Sequence, residues 1–147
     1  MIIPGKGTAN FKIGSLKSSI DFSKYDIIEI ENREVLEVIK TEFIWFFINL
    51  KNNTLDQICV FSPFNEKVLG KIGIGDTLSM VHKEFGKCVI NHKVHEPIKY
   101  PGISFETKND SKGKSAVIDC ISVSNPYPFY PTNNATHDCV TKKRKLP

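Results

Sequence analysis

The sequence predicts an α+β fold of two tandem units, residues 1–66 and 67–130, each a short helix followed by an antiparallel β-meander. Two observations lead to this prediction. One pattern of residues occurs in both halves of the chain, and most apolar residues follow the spacing of β-strands. We expect the two sheets to lie side by side with both helices on one face. Residues 131–147 are expected to form an extended basic tail that is disordered.

The repeat is clearest at the end of each half. Residues 55–64 and 118–127 both follow the pattern aliphatic-Asp-x-Ile-x-Val-x-x-Pro-aromatic, and they are 63 positions apart. Upstream, Ser15 and Asp76 each follow an Ile-Gly pair or an Ile-Gly-Ile-Gly run, and these two residues are 61 positions apart. The similar offsets indicate one duplicated unit with small insertions.

The helix of each unit is predicted from its capping residue and its apolar spacing. Ser15 and Asp76 can both accept hydrogen bonds from the exposed amides of a first helical turn. After Asp76, apolar residues recur at helical spacing and Gly86 can end the helix. These apolar residues are Leu78, Val81 and Phe85 in the second unit, with Leu16 and Ile20 as their less regular counterparts in the first.

Strands are predicted for most of the remaining chain, because β-branched and aromatic residues are frequent there. The segment 43–49 is apolar on both faces, with Trp45 and Phe47 on one side and Phe46 on the other. Such a strand either is covered on both faces or leaves one face for a partner. The predicted strands are 27–31, 34–40, 43–49, 57–61, 88–94, 98–100, 103–107 and 117–123.

The charge and composition favour a soluble cytosolic protein. The chain has 20 basic and 16 acidic residues, and residues 142–145 supply four of the basic ones, so residues 1–141 are neutral overall. A neutral body argues against nucleic-acid binding, which usually needs a basic face. No apolar run is long enough for a membrane span, and the N-terminus does not resemble a signal peptide. The four cysteines form no C-x-x-C pair, so free thiols are expected.

The sequence favours a protein without catalytic activity and leaves one catalytic or ligand-binding alternative. No phosphate-binding loop or nucleophile motif is present, and Glu29 and Glu31 are interpreted as the solvated side of a strand. We therefore expect a protein that is not an enzyme and that needs no cofactor or metal. The alternative is a small metal-dependent enzyme or ligand-binding domain that uses the neighbouring residues His82, Cys88, His92 and His95.

A tandem pair of glycine-entered helix and meander resembles β-lactamase inhibitory protein. The chain length and the opening residues 2–7 are similar to small immunity proteins of bacterial polymorphic-toxin and contact-dependent growth inhibition systems. This resemblance implies a cytoplasmic protein that binds a cognate toxin domain and neutralises it by occluding the toxin's active site. A nuclease is one such toxin.

An interaction surface of this kind depends on a few aromatic anchors surrounded by polar residues. We expect the anchors among the aromatic residues of the central strand and of the proline-rich segment, and the polar rim in the loop 108–114. The predicted partner-binding residues are Trp45, Phe47, Tyr100, Lys108, Lys112, Lys114, Tyr127, Phe129 and Tyr130.

Overall fold

The computed structural model describes residues 1–108 and 113–126, and its central element is an antiparallel β-sheet of eight strands. One α-helix, α1 (Leu78–Phe85), lies between the fourth and fifth strands, and two 3₁₀ turns occur at Lys17–Ser19 and Gly113–Ser115. The strands are β1 (Glu29–Arg33), β2 (Leu36–Lys40), β3 (Ile44–Asn49), β4 (Thr54–Phe61), β5 (Cys88–Asn91), β6 (Val94–Pro97), β7 (Ile103–Thr107) and β8 (Ile118–Ser124).

The strand order across the sheet is β1-β2-β3-β4-β8-β7-β6-β5, and every neighbouring pair is antiparallel. The strands β4 and β8 therefore meet at the centre, and β1 and β5 form the two edges. Since the sheet has an even number of antiparallel strands, β1 and β5 run in opposite directions.

The main hydrophobic core lies on the face of the sheet that α1 covers, which we call the helix face. The rings of Phe85 in α1 and Phe105 in β7 stack at a centroid distance of 5.8 Å. Near the other end of this face, Phe46 of β3 is fully buried and contacts the rings of Phe11 and Phe22. The N-terminal segment and the helix thus share the covering of one sheet face.

The opposite face, which we call the second face, carries a smaller apolar cluster. Trp45 and Phe61 pack at a centroid distance of 5.4 Å, and Trp45 is only 3% exposed. Cys59 lies in this cluster and is disulfide-bonded, which differs from the free thiols expected from the sequence. Strand β3 is therefore buried on both faces, and this explains why both of its faces are apolar.

The predicted fold class is wrong. The structure is a β-rich fold with one sheet and one short helix, and it does not contain two helix-plus-meander units. The first half forms only a 3₁₀ turn where a helix was predicted, because the backbone of this segment bonds to the start of β4. Gly14 N–H donates to Leu55 O (2.7 Å), Leu55 N–H donates to Ser15 O (2.8 Å), and Lys17 N–H donates to Asn53 O (2.7 Å).

The predicted helix of the second half is present as α1. Its capping residue is Thr77 and not Asp76, since the Thr77 hydroxyl accepts from Met80 N–H. Gly86 ends the helix with a φ of 81°, as the sequence indicated. No helix among the described residues combines the length and the apolar character needed to cross a membrane.

Candidate protein-binding edge of the sheet

Strand β1 presents large apolar side chains to solvent. Ile28 is 67% exposed and Ile30 is 54% exposed. Ile30 lies in β1 at the outer end of the helix face, since it is paired with Ile39 of the main core, and Ile28 directly precedes the strand. Neighbouring exposed isoleucines on a sheet edge are suited to contact with another protein.

The backbone of β1 is also open on its outer side. A two-residue turn joins β1 to β2 after the pair Arg33–Leu36. In such a hairpin the residues next to the turn form a hydrogen-bonded pair, and these pairs alternate along the ladder. The backbone groups of Ile30 and Asn32 therefore point away from β2, and no described strand lies beyond β1. A strand from another chain can pair with these groups.

On the second face, the same edge carries a cluster of charged side chains around a buried lysine. Lys40 is only 2% exposed, and its Nζ donates to Glu31 Oε2 (2.6 Å) and to Glu29 Oε1 (3.2 Å). Arg33 Nε donates to the second carboxylate oxygen of Glu31. Partial burial acts to raise the pKa of Glu31, but the hydrogen bonds and positive charges of Arg33 and Lys40 outweigh it and hold that pKa below its usual value.

Two of the predicted partner-binding residues lie directly beneath this cluster. The Lys40 ammonium is 4.5 Å from the centroid of the Trp45 ring, and the Arg33 guanidinium is 5.8 Å from the centroid of the Phe47 ring. Trp45 and Phe47 are buried, so they support the charged cluster from below. Their direct contact with a partner stays a prediction.

The rest of the edge carries further negative charge, of which only Glu37 is in an ion pair with a described residue, Lys17. Residues 26–42 contain six acidic and two basic residues, a net charge of −4 in a chain whose net charge is +4. Asp26, Glu34 and Glu42 are exposed, and none of them forms an ion pair with a described residue. The exposed isoleucines are thus surrounded by free carboxylates, and we call this surface the acidic edge.

The other predicted partner-binding residues do not lie at the acidic edge. Tyr100 is half-buried and packs against Phe85 at a centroid distance of 5.3 Å, and Lys108 is exposed after β7. Lys114 lies in the second 3₁₀ turn. The remaining predicted residues, Lys112, Tyr127, Phe129 and Tyr130, lie outside the described residues, as does the predicted tail 131–147.

The predicted histidine and cysteine cluster is only partly assembled. The rings of His82 in α1 and His95 in β6 are 6.1 Å apart. His92 lies in the β5–β6 turn with a φ of 59°, and Cys88 begins β5. No three metal-ligating side chains come together within residues 1–108 and 113–126. The structure therefore brings two of the four residues close to each other.

The buried ring of His95 predicts a loss of stability in mild acid. Burial, and then the charge of His82, lower the pKa of His95 below its usual value of 6.5. The protonated form is therefore disfavoured in the folded state, so stability is full above the unfolded-state pKa and falls as the pH drops below it. We expect His95→Gln to reduce the difference in the free energy of unfolding between about pH 7.5 and 5.5. Urea unfolding at the two pH values measures this difference.

His92→Gln is the matched control for that experiment. His92 is exposed, so its replacement should leave the pH dependence as it is in the natural protein. An unchanged pH dependence in His95→Gln would show that burial of His95 does not destabilise its protonated form.

The acidic edge was not predicted, although the sequence carries a signal for it. The net charge was averaged over residues 1–141, and this average concealed the local excess of acidic residues between 26 and 42. A sliding count of charge would have found it. The exposure of Ile28 and Ile30 has no such signal, because it depends on the position of β1 at the edge of the sheet.

Comparisons with known proteins give a fold without a function. No protein-family model and no curated protein matches the sequence. The structure is similar to the uncharacterized protein yfeY from Escherichia coli, with a TM-score of 0.56 and 13% identity over 84% of this chain and 99% of that chain. A cysteine-rich secretory protein from Staphylococcus aureus subsp. aureus Mu50 matches with a TM-score of 0.47 and 9% identity, over 84% of this chain and 50% of that one. Neither is described as an immunity protein, and the likeness to yfeY shows that the chain shares its β-rich fold.

Proposed function

We propose that this protein is a non-catalytic immunity protein that binds a cognate toxin domain through the acidic edge and neutralises it. The observation that carries the proposal is the pair of exposed isoleucines, Ile30 in an open edge strand and Ile28 directly before it, among free carboxylates. Apolar anchors supply binding energy, and the surrounding charge selects the partner and accelerates the encounter.

The charge of the acidic edge specifies a basic partner. A nuclease must bind phosphates, so its active site is lined with basic residues. A negatively charged edge that pairs with a strand beside such a site would cover it and exclude the nucleic acid. The local charge supplies the electrostatic complementarity that the neutral body as a whole lacks.

The resemblance to immunity proteins locates this encounter in the cytoplasm of the producing cell. The disulfide of Cys59 is more typical of an oxidising compartment, because cytosolic thiols are usually kept reduced. Cell fractionation of the native host decides between the cytoplasm and an oxidising compartment. Recovery from the cytoplasmic fraction supports protection of a cytoplasmic target, and recovery from a periplasmic fraction contradicts it.

The test uses the toxin that the proposal implies. Where this gene lies directly downstream of one that encodes a secreted protein, the C-terminal domain of that protein is expressed in a host cell with and without this chain. We expect the chain to restore growth and the two purified proteins to bind. The double variant Ile28→Lys, Ile30→Lys should bind at least about 100-fold more weakly and lose protection, because two apolar anchors are removed and positive charge is added.

Ile90→Lys is the matched control, because Ile90 has similar exposure on the opposite edge strand. This variant should protect as well as the natural protein. Full protection by the double variant would exclude the acidic edge as the binding surface. Failure of the natural protein to bind the toxin domain would exclude the immunity function.

The alternative function, a metal-dependent enzyme or ligand-binding domain, is favoured by one observation. His95 Nδ1 is buried and has no hydrogen-bond partner in the described part of the chain, and His82 is close to it. Elemental analysis of the purified protein distinguishes the two functions. One equivalent of zinc or iron, lost in a His82→Ala, His95→Ala variant, would favour the alternative.

A further inference from the structure

The opposite edge of the sheet is also open and apolar. In β5, Val89 is 58% exposed and Ile90 is 57% exposed, and Ile98 lies exposed beside them. A cavity of about 310 Å³ on the second face has Val89 and Ile98 among its lining residues and extends this apolar surface. No described strand pairs with the outer side of β5.

The backbone of β5 offers hydrogen-bonding groups in the same manner as β1. The two-residue turn of the β5–β6 hairpin follows the pair Asn91–Val94, and Ile98 N–H donates to Lys87 O (3.0 Å). Lys87 and Asn91 thus direct their backbone groups toward β6. By the alternation of antiparallel pairs, Cys88 and Ile90 direct theirs outward.

The charge around β5 is opposite to that of the acidic edge. Residues 82–99 contain four lysines and two glutamates. Lys83, Lys87 and Lys99 are exposed, and none of the three is in an ion pair with a described residue. We call this surface the basic edge.

We propose that the basic edge of one molecule binds the acidic edge of a second copy, so that the two sheets join into one. The strand directions fit this arrangement, because β1 and β5 run in opposite directions. A second copy placed in the same orientation therefore adds an antiparallel strand, as at every other position in the sheet.

The faces of the two edges also match. Ile30 is paired with Ile39 of the helix-face core, and Ile90 is paired with His95, which is in turn paired with Phe105 of the same core. Because directly opposed residues share a face, Ile30 and Ile90 lie on the same face of the sheet. Joining the edges would thus continue both faces from one molecule to the next.

One register satisfies both the charges and the apolar side chains. When Glu31 lies opposite Lys87 on the second face, Ile30 lies opposite Cys88 on the helix face, with Ile90 as its diagonal neighbour. Opposite charges and apolar pairs across adjacent strands each stabilise a sheet. Pairing of two acidic edges or of two basic edges would instead bring like charges together, so the contact between unlike edges is favoured.

The inferred contact shares the acidic edge with the proposed function but does not depend on a toxin. A bound toxin would compete with the second copy for the acidic edge, so with the toxin in excess each complex would contain a single copy of this chain. A single pair of edge strands buries less surface than the 1,200 Å² or more of a stable interface. We therefore expect weak self-association, with a dissociation constant of about 10 to 500 µM.

The test uses two variants that each block one edge by adding a charge of the same sign as the opposing edge, Ile30→Lys and Ile90→Glu. Analytical ultracentrifugation of the natural protein should show a mass that rises with concentration and that falls when salt is added. Each variant alone should remain monomeric, since one of its edges is blocked. An equimolar mixture should form a dimer and nothing larger, because each variant still has the edge that the other lacks.

Three outcomes would overturn the inference: a monomeric natural protein at every concentration, dimers of either variant alone, or an equimolar mixture that stays monomeric. Both substitutions are at exposed positions, and native emission from the single tryptophan, Trp45, verifies that each variant is folded. The result is separate from the toxin experiment, because Ile90→Glu keeps the acidic edge and should still protect cells.

Discussion

Phe46→Ala should lower the free energy of unfolding by about 3–5 kcal/mol. The Phe46 side chain is fully buried in the central strand β3 and contacts three aromatic rings, those of Phe11, Phe22 and Tyr25, at centroid distances of 4.9, 5.2 and 6.1 Å. Alanine removes the buried ring and leaves a cavity, because residues in a β-ladder cannot move inward to fill it. Urea unfolding followed by the emission of buried Trp45 measures the loss.

The destabilisation caused by Phe46→Ala should also extend to the acidic edge. Phe11, Phe22 and Tyr25 belong to the segment that leads into β1, and Phe46 is their common contact on the sheet. We expect the substitution Phe46→Ala to increase the rate of amide hydrogen exchange, relative to the natural protein, more in residues 22–30 than in β7.

Phe43→Ala is the matched control for Phe46→Ala. Phe43 lies just before the same strand but is only half-buried, and its ring contacts Tyr25 at 6.2 Å. Its replacement should cost about 1–2 kcal/mol. Equal losses in the two variants would show that Phe46 does not hold the N-terminal segment on the sheet.

The strands were predictable because their signal is local. The segment 44–49 is rich in aromatic and β-branched residues, and it forms β3 as predicted. In the same way, the apolar spacing from Leu78 to Phe85 and the following Gly86 predicted α1 to within two residues. The segment 98–100 was wrongly predicted as a strand, since residues 98 and 99 form a turn before Pro101.

The helix predicted in the first half failed because long-range contacts decided its structure. Ser15 was predicted to cap a helix, but the backbone groups of Ser15 and Lys17 bond to Leu55 and Asn53, which are 40 and 36 residues away. Two such segments with similar local patterns can therefore adopt different structures. The joining of all eight strands in one sheet is a long-range property of the same kind.

Part of the candidate site was predictable and part was not. Trp45 and Phe47 were singled out from their place in an apolar strand, but their sequence does not show that Lys40 and Arg33 lie over their rings. The contact between Lys40 and Trp45 depends on the register between β2 and β3, which places the two residues opposite each other. The register is set by the whole hairpin, so the supporting role of the two aromatic residues emerges only from the structure.

Lys40→Ala should lower the free energy of unfolding by about 2–3 kcal/mol. This value lies between the cost of breaking an exposed ion pair, below about 1 kcal/mol, and that of breaking a buried one, about 3–5 kcal/mol. Lys40 is buried, but its partner Glu31 is one-fifth exposed and Glu29 nearly half exposed. The substitution also removes the aliphatic stem and the ammonium that packs on Trp45.

Lys40→Met separates the packing of Lys40 from its charge. Methionine keeps an unbranched apolar side chain over Trp45 but cannot bond to Glu29 or Glu31, so the loss should be smaller than in Lys40→Ala. An equal loss in both variants would assign the whole effect to the charge. No loss in either would show that Lys40 does not stabilise the edge.

The charge of Lys40 has a second readout in the titration of Glu31. In the natural protein the pKa of Glu31 is lowered, so the stability it contributes is present above the unfolded-state pKa and is lost as the pH falls through the folded-state pKa. Removal of Lys40 leaves Arg33 as the remaining cation, and the pKa of Glu31 should rise in both variants. NMR titration of the Glu31 carboxyl carbon measures this rise. Because the same carboxylate lies beside Ile30 on the acidic edge, a raised pKa with unchanged global stability would show that Lys40 sets the charge of the acidic edge without stabilising the fold.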